Sequence, residues 1–299
     1  MRQRAGCSRI RTYPRQDHDG STRTRPYTPR CRSLERRRPA PAPPHRRLPS
    51  IPGAKCRRRQ RDGTDPRVPP LTVDILYLSY NRAPYVRETL PRLLEQCDAH
   101  ARVWIWQNGS DPETLEAVRP YEHHPRVGAF VQSPENQRLR GPTNWLWSKS
   151  RADLLGKMDD DGICDEGWIE RLREAHRRVD RLGIVATWRF HPDDDVPSLI
   201  ARKVACIDRT PPALQLFRNP WVAGSGYLMK RVCVERLGLL PERGTFTDYC
   251  IRVARSGWLV GYLHPFVRQQ HLHDPRFPAS LIRTDEDLRR YMPLTAAND

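Results

Sequence analysis

The feature that most constrains the fold of this chain is the alternation of short apolar segments with amphipathic ones over residues 73–188. Residues 73–80 are mostly apolar, with Val, Ile and Tyr among them, which is typical of a strand covered on both faces of a parallel sheet. The next segment carries apolar residues at helical spacing, at Val86, Leu90, Leu93 and Leu94. A buried strand, a loop and a one-sided helix form the repeating unit of an α/β fold.

The same unit recurs along the chain. Further apolar segments predict strands over residues 103–106, 127–131, 154–158 and 184–188. After an irregular stretch that the pattern does not place, residues 190–219, regular structure returns over 221–229, where Gly224 and Gly226 fit a tight turn before a strand. We then predict helices from 231 and over 248–256, and a strand over 258–263. Strands joined through helices lie parallel, and ligands bind at the carboxyl ends of such strands. We therefore predict a Rossmann-like, mostly parallel sheet flanked by helices, with a site at one edge.

The basic charge of the chain is concentrated before this pattern starts. Residues 1–70 hold 20 of the 52 Lys and Arg residues, 5 of the 35 Asp and Glu residues, and 12 of the 29 prolines. Such a segment buries too little apolar surface to offset the entropy of ordering. We predict a disordered Arg/Pro-rich tail, or upstream sequence translated from a wrongly assigned start. Residues 71–299, with 32 basic and 30 acidic residues, are predicted to form a single catalytic domain.

Composition also bears on partners and location. A nearly neutral body lacks the basic face of a specific nucleic-acid-binding domain. The Arg-rich tail is either a solvated polycation or an arm that contacts RNA, DNA or the surface of a membrane. No segment reaches the ~18 consecutive apolar residues of a membrane span, and the N-terminus lacks the apolar core of a secretory signal. We therefore expect a cytoplasmic protein with, at most, peripheral membrane contact through the tail.

Three consecutive aspartates, Asp159, Asp160 and Asp161, follow the predicted strand over residues 154–158. Adjacent carboxylates repel one another unless a cation or strong hydrogen bonds compensate them. Mg²⁺ and Mn²⁺ prefer oxygen ligands and, beside a diphosphate, take one or two carboxylates. The run is a candidate metal site, with a capped or solvated acidic loop as the plainer interpretation. With Gly162 it also fits the Asp-x-Asp-Gly pattern of aspartyl-phosphate phosphatases, in which the first aspartate is the nucleophile.

Several short motifs occur in an order that resembles family 2 glycosyltransferases. They are Ser79-Tyr80-Asn81-Arg82, Gln107-Asn108-Gly109-Ser110, Glu135-Asn136 with Asn144, Met158-Asp159-Asp160-Asp161, Gly224-Ser225-Gly226-Tyr227 and Asp248-Tyr249. The resemblance covers residues 73–275. It implies a GT-A fold and inverting transfer of a sugar, of hexosyl or rhamnosyl type, from a nucleoside-diphosphate sugar to a hydroxyl. The acceptor would be a glycan, a lipid-linked molecule or a small molecule.

By position, the resemblance also implies roles for particular residues. Asp161 would contact the metal and the diphosphate, with Mn²⁺ or Mg²⁺ as the cofactor, and Asp159 and Asp160 would approach the ribose or the metal. His271 is assigned as a further ligand, because a late histidine, His271 or His273, lies near the metal or diphosphate in many such enzymes; a surface loop is the alternative. The nucleotide-sugar site would also include Ser79, Asn81, Arg82, Gln107, Asn136, Asn144, Gly224 and Gly226.

Inversion needs a base on the acceptor side, and Asp248, at the start of a predicted helix, matches that position best. Its alternative is an ordinary helix N-terminal aspartate that the dipole favours. The chain also departs from the family pattern. Gln107 stands where most relatives carry an aspartate that contacts the base of the nucleotide, and an amide can both donate and accept there. The Gln-x-x-Arg-Trp motif of processive synthases is absent, which favours a single addition.

Overall fold

The computed structural model describes residues 69–287 of the 299-residue chain. The strands of this range are β1 Val73–Ser79, β2 Ala101–Asn108, β3 Val127–Ser133, β4 Leu154–Asp159, β5 Gly162–Cys164, β6 Leu182–Ala186, β7 Val204–Asp208, β8 Leu214–Arg218, β9 Tyr227–Lys230, β10 Leu259–His264 and β11 Gln269–His271. The α-helices are α1 Ala83–Glu95, α2 Pro112–Val118, α3 Arg140–Lys149, α4 Trp168–Arg178, α5 Pro197–Lys203, α6 Arg231–Leu237 and α7 Phe246–Arg255. Short 3-10 turns lie at Arg119–Tyr121 and Pro192–Asp194.

One large mixed sheet organises the described residues, with the strand order β3-β2-β1-β4-β9-β6-β10-β8-β7. Strands β1 to β4 are parallel to their neighbours among themselves, β9 runs antiparallel to both β4 and β6, and β6 and β10 are parallel. Because β9 enters from the opposite end, its first residue Tyr227 pairs with Lys157 near the end of β4 and with Ala186 at the end of β6. The carboxyl ends of β1, β2, β4 and β6 and the loop before β9 therefore meet at one edge of the sheet.

Helices cover both faces of this sheet, so β1 is buried along its whole length. Ile75 and Tyr77 pack into one core with α1 and α4, whereas Leu76 packs into the other with α3, α6 and α7. Alternate residues of a strand point to opposite faces. Because each face of β1 packs into a core, the strand has no polar face. The α/β fold class predicted from the alternation of segments is confirmed.

A small antiparallel ribbon lies at the same edge and was not predicted. Strand β5 directly follows the aspartate run and pairs with β11, which places Gly162 opposite His271. The backbone N–H of Leu272 donates to the carbonyl of Asp161 at 2.8 Å. The ribbon therefore fixes a late segment of the chain against the aspartate run.

The structure defines the elements of two stretches that follow β6. Within 221–229, β9 starts at Tyr227, and Gly226 before it has a φ of +68°, in agreement with a turn before a strand. The stretch over 190–219 that the pattern left unplaced contains α5, β7 and β8. Strands β7 and β8 have five residues each and are partly exposed. Their apolar pattern is too short to be recognised as a strand in the sequence.

The predictions for the tail fall almost entirely on residues 1–68, which lie outside the described residues. The domain division at residue 70 accordingly stays a prediction. Among the helices of residues 69–287, none combines the length and the apolar character that crossing a bilayer requires.

Candidate active site

A buried arginine connects the end of β1 to the aspartate run. One Nη of Arg82 donates to Asp160 at 2.9 Å and to Asp161 at 3.0 Å, and the side chain is 3% exposed. The backbone N–H of Tyr80 adds a hydrogen bond of 3.1 Å to Asp160. The adjacent carboxylates of Asp160 and Asp161 would repel each other in a buried site, and the guanidinium that they share offsets this repulsion. The loop after β1 and the loop after β4 are thus held together by charge.

Asp161 also faces two histidines of the late segment. Its carboxylate lies 3.3 Å from Nε2 of His271 and 3.6 Å from Nδ1 of His273. One ligand atom from each of the three residues lies within 4.8 Å of the other two. We refer to Asp161, His271 and His273 as the Asp161 cluster. With this geometry, the three side chains could hold one cation.

The electrostatics of the cluster suit metal ligands. Burial by itself raises the pKa of Asp161, but the positive charges of Arg82 and Arg189 help to hold the pKa of this carboxyl well below its usual range. Burial and the positive charge of Arg82 lower the pKa of His273 to about 4. At neutral pH, Asp161 is therefore an anion and His273 is neutral, the forms in which these side chains bind metals. Burial raises the pKa of the neighbouring Asp160, which leaves Asp161 as the main anion of the pair.

The donor set of the cluster fits a divalent metal. His273 turns Nδ1 toward Asp161, so a metal beside that carboxylate would take this nitrogen of the ring. Two imidazoles and one carboxylate suit transition ions, whereas Mg²⁺ prefers an all-oxygen shell. Asp159, predicted as a metal ligand, does not belong to the cluster. Its predicted contact with metal or ribose stays a prediction.

Asp159 instead forms an ion pair with Lys157, two residues earlier on the same face of β4. The Lys157 ammonium is 4% exposed and also donates to the carbonyl of Gly224 at 3.1 Å. The backbone N–H of Asp159 donates to the hydroxyl of Ser225 at 3.0 Å. The aspartate run is thereby tied to the loop before β9, where the sequence predicts the acceptor side.

The loops after β1 and β2 are cross-linked through Asn81. This residue has a φ of +52°, its side-chain oxygen accepts from the N–H of Asp111 at 2.8 Å, and its own N–H donates to the hydroxyl of Ser110 at 3.2 Å. Ser79 and Gln107 pair in register at the ends of the two strands. Both carry a buried side-chain oxygen without a hydrogen-bond partner in the described part of the chain. Two adjacent unsatisfied oxygens mark the place where a polar ligand would complete this edge.

The two predicted asparagines differ in their surroundings. The side-chain oxygen of Asn136 accepts from Asn108 at 2.8 Å and from the N–H of Arg138 at 2.7 Å, which places Asn136 beside the turn after β2. Asn144 on α3 donates to and accepts from the backbone of Leu240, at 3.0 Å and 2.9 Å. Its amide therefore fixes the chain after α6, and its role at the nucleotide stays a prediction.

Gly224 and Gly226 lie in the loop before β9 and differ in how tightly they are packed. A side chain at Gly226 would overlap the hydroxyl of Thr187 and come within 2.5 Å of the Gln269 side-chain oxygen, whereas one at Gly224 would meet only Phe246, at 3.8 Å. Gly226 also donates to the carbonyl of Lys157 and accepts from the N–H of Thr187, both at 2.8 Å. The need for glycine at residue 226 is structural, while residue 224 has room beside it.

Gly226→Ala is expected to lower the free energy of unfolding by about 2–4 kcal/mol, because it combines an unfavourable positive φ with overlap against Thr187. Gly224→Ala is the matched control and is expected to change stability by less than about 0.5 kcal/mol. Urea unfolding followed by tryptophan fluorescence measures both. Equal stability of the two variants would contradict the packing described for Gly226.

Asp248, the candidate base, is the third residue of α7 and is exposed. It forms a capping box with Thr245: one carboxylate oxygen accepts from the N–H and the hydroxyl of Thr245, at 2.8 Å and 2.9 Å, and the Thr245 hydroxyl accepts from the N–H of Asp248 at 3.2 Å. These bonds lower the pKa of Asp248, so it is ionised at neutral pH. The preceding Phe246 stacks on Tyr227 with ring centroids 4.4 Å apart, which holds the start of α7 beside the Gly224 loop.

The fold and the residues at this edge of the sheet agree with one family. A family model described as glycosyl transferase family 2 matches residues 74–231, a range that runs from β1 through the start of α6 and includes the aspartate run. The chain belongs to glycosyl transferase family 2. Its fold is GT-A, as the motifs of the sequence predict.

Solved structures agree on the fold. The chain is similar to the mannosyltransferase PcManGT from Pyrobaculum calidifontis in complex with GDP-Man and Mn²⁺, with 20% identity and a TM-score of 0.55 over 71% of this chain and 59% of that one. It is similar to S. aureus TarS 1-349, with 16% identity and a TM-score of 0.51 over 67% and 60%, and to GalNAc-T7 with UDP, GalNAc and Mn²⁺, with 14% identity and a TM-score of 0.54 over 68% and 44%. The chain thus spans about half of each neighbour's length, and at these identities the likeness concerns the fold alone.

Two residues of the site escaped the sequence predictions. Lys157 lies inside an apolar strand and Arg189 lies just beyond the end of β6, and neither belongs to a motif. Their partners, Gly224 and His271, lie 67 and 82 residues away in the chain. A basic residue within the predicted strand over 154–158 was a usable signal, because a lysine is rarely buried without a partner.

Proposed function

We propose that this glycosyltransferase transfers a single sugar, with inversion, from a nucleoside-diphosphate sugar to an acceptor hydroxyl, with a divalent metal on the diphosphate. The observation that carries the proposal is the Asp161 cluster at the carboxyl ends of β1 and β4. It combines an ionised carboxylate with a neutral buried imidazole. PcManGT and GalNAc-T7, which share the fold, were solved with Mn²⁺ and with a sugar nucleotide or its parts.

In this proposal, Asp161, His271 and His273 hold the metal, and the donor diphosphate lies against it. A bound divalent cation stabilises the charge that develops on the leaving diphosphate without a proton transfer. The mixed nitrogen and oxygen donor set favours Mn²⁺ over Mg²⁺. Arg82 keeps the carboxylate of Asp161 ionised and aimed at the site through its 3.0 Å hydrogen bond.

The nucleoside lies, in this proposal, across the ends of β1 and β2. The unsatisfied oxygens of Ser79 and Gln107 would accept from ribose hydroxyls or from N–H groups of the base. Asn81 and Asn136 shape the two turns that border this place. Asp248 accepts the proton of the acceptor hydroxyl with the carboxylate oxygen that does not cap the helix. The acceptor approaches along the loop of Gly224 and Gly226.

The alternatives differ in what supports them. Family membership speaks against the aspartyl-phosphate phosphatase, and the ion pair between Asp159 and Lys157 would occupy the carboxylate that such an enzyme uses as its nucleophile. The hypothesis of an RNA- or membrane-binding arm falls on residues 1–70, nearly all of them outside the described residues. The donor sugar, of hexosyl or rhamnosyl type, and the acceptor, a glycan, lipid-linked or small molecule, stay part of the proposal.

The proposal is tested by thermal unfolding with Mn²⁺ or Mg²⁺ and each of UDP, GDP and dTDP. The best pair, at about 100 times its Kd, is expected to raise the Tm by about 5 °C or more, because binding at that ratio stabilises the folded state by about 2.7 kcal/mol. Mn²⁺ is expected to give the larger shift. Asp161→Ala is expected to abolish the shift, and the exposed Asp180→Ala is expected to keep it. The absence of any shift in the wild-type protein would contradict the proposed function.

A further inference from the structure

A contact between Arg189 and His271 lies at the rim of the Asp161 cluster. One Nη of Arg189 is 2.7 Å from Nε2 of His271, and the same Nε2 is 3.3 Å from the Asp161 carboxylate. A guanidinium has five N–H donors and no lone pair to offer. The short contact therefore requires that Nε2 carries no hydrogen, so that it accepts a hydrogen bond from Arg189.

The lone pair that accepts from Arg189 is the one that His271 would give to a metal. Nε2 is the ring nitrogen that faces Asp161, and an imidazole binds a metal through a nitrogen that carries no hydrogen. One lone pair cannot serve an N–H donor and a cation together, and the two positive charges would repel at this distance. Metal binding at Nε2 therefore requires the Arg189 guanidinium to leave His271.

The backbone next to Arg189 is held in place, so the guanidinium can move only by rotation of its own side chain. The N–H of Trp188 donates to Val267 at 2.7 Å, and its carbonyl accepts from the N–H of Gln269 at 3.0 Å. The indole of Trp188 is buried and stacks on Phe266 with ring centroids 4.2 Å apart.

We propose that Arg189 is a diphosphate-binding residue that occupies Nε2 of His271 until a divalent cation takes that nitrogen, and that its guanidinium then turns to the oxygens of the donor diphosphate. The proposal rests on the function proposed above and adds a second cation for the leaving group. Arg82 already shares one Nη between Asp160 and Asp161. A planar guanidinium matches two phosphate oxygens in a bidentate contact.

The proposal predicts effects of opposite sign in one variant. Arg189→Met removes the group that competes with the metal, so Mn²⁺ alone is expected to bind about three- to tenfold more tightly. The variant also loses the phosphate contact, so binding of UDP, GDP or dTDP at saturating Mn²⁺ is expected to weaken about tenfold or more, as for a lost hydrogen bond to a charged group. Electron paramagnetic resonance of free Mn²⁺ measures the first effect, and calorimetric titration of the nucleotide measures the second.

Two further variants separate this role from a general one. Arg171→Met removes the same charge from α4, where the side chain donates to the carbonyl of Pro265, and is expected to leave both affinities unchanged. Arg189→Lys keeps a cation with fewer donors, is expected to weaken nucleotide binding less than Arg189→Met, and serves as the test if Arg189→Met does not fold. The corresponding nucleosides, without phosphates, are expected to bind the wild type and Arg189→Met equally.

The outcomes also distinguish the role proposed for Arg189 from the proposed function on which it rests. If the wild-type protein binds neither Mn²⁺ nor any of the three nucleoside diphosphates, the proposed function and the role of Arg189 fall together. If the wild type binds both, and Arg189→Met weakens both or changes neither, the proposed function stands and Arg189 has only a structural part. A gain in metal affinity with a loss in nucleotide affinity is the result that supports the role of Arg189.

Discussion

Asp248→Asn is expected to lower the rate of sugar transfer by about 10²–10⁴-fold, the usual contribution of a general base, while the affinities for Mn²⁺ and the nucleoside diphosphate stay unchanged. An asparagine oxygen can still accept from the N–H and the hydroxyl of Thr245, as the carboxylate does at 2.8 Å and 2.9 Å, so the start of α7 is preserved. The measurement is release of nucleoside diphosphate from sugar nucleotides that carry the base selected by the thermal panel, with and without an acceptor.

The capping box provides the matched control for this variant. Thr245→Ala removes the hydroxyl that links to Asp248 but leaves the carboxylate in place. It is expected to cost about 0.5–2 kcal/mol of stability, as for other lost N-caps, with most of the turnover retained. If Asp248→Asn keeps the wild-type rate, Asp248 only caps the helix. The pair of variants thus separates a chemical role from a structural one at the same helix terminus.

Arg82→Met is expected to lower the free energy of unfolding by about 3–5 kcal/mol, the usual cost of removing one partner from a buried ion pair. The guanidinium is 3% exposed and donates to both Asp160 and Asp161. Without it, the two buried carboxyl groups lose their shared counter-ion, and from the β1 loop only the N–H of Tyr80 still donates to Asp160. Urea unfolding measures the loss. Mn²⁺ is expected to restore part of it, because a bound cation would again compensate Asp161.

Arg87→Met, in the helix α1 that follows Arg82, is the control, since Arg87 pairs with Glu113 and both side chains are more than half exposed. Exposed pairs contribute about 0–1 kcal/mol, so this variant is expected to be nearly neutral. The double variant of Arg82→Met with Asp160→Asn is expected to be more stable than Arg82→Met alone, because a buried acid whose ionised form has lost its counter-ion is replaced by a neutral amide. A loss in Arg82→Met no greater than in Arg87→Met would mean that the guanidinium carries little of the stability of this edge.

The parallel half of the fold was predictable because each of its strands is long, apolar and followed by a helix with one apolar face. That pattern is local, and β1 to β4 are the strands that it predicts. The turn before β9 was predictable from its two glycines, Gly224 and Gly226, and the backbone at Gly226 has a positive φ. Strands β5 and β11 have three residues each, too few for any period to be visible.

The site was predictable where its residues stand in motifs. The aspartate run and the two histidines followed from the order of the motifs, and the structure brings Asp161, His271 and His273 together. The partners that set their charge did not follow, because Lys157 and Arg189 act through contacts with distant segments. Sequence order indicates which residue types gather at an edge. The hydrogen bonds of Lys157 and Arg189 depend on how distant segments pack together, which the sequence order does not show.

The β5 and β11 ribbon has a consequence for the order in which the protein is assembled. Asp161 and His271 are 110 positions apart, yet the N–H of Leu272 is bonded to the carbonyl of Asp161. Chains emerge from the ribosome with the N-terminal part first, and domains fold as units. A nascent chain that has completed β1 to β4 has its three aspartates and Arg82 but no histidine beside Asp161. The full set of cation ligands, Asp161 with His271 and His273, is therefore present only when translation has passed residue 273.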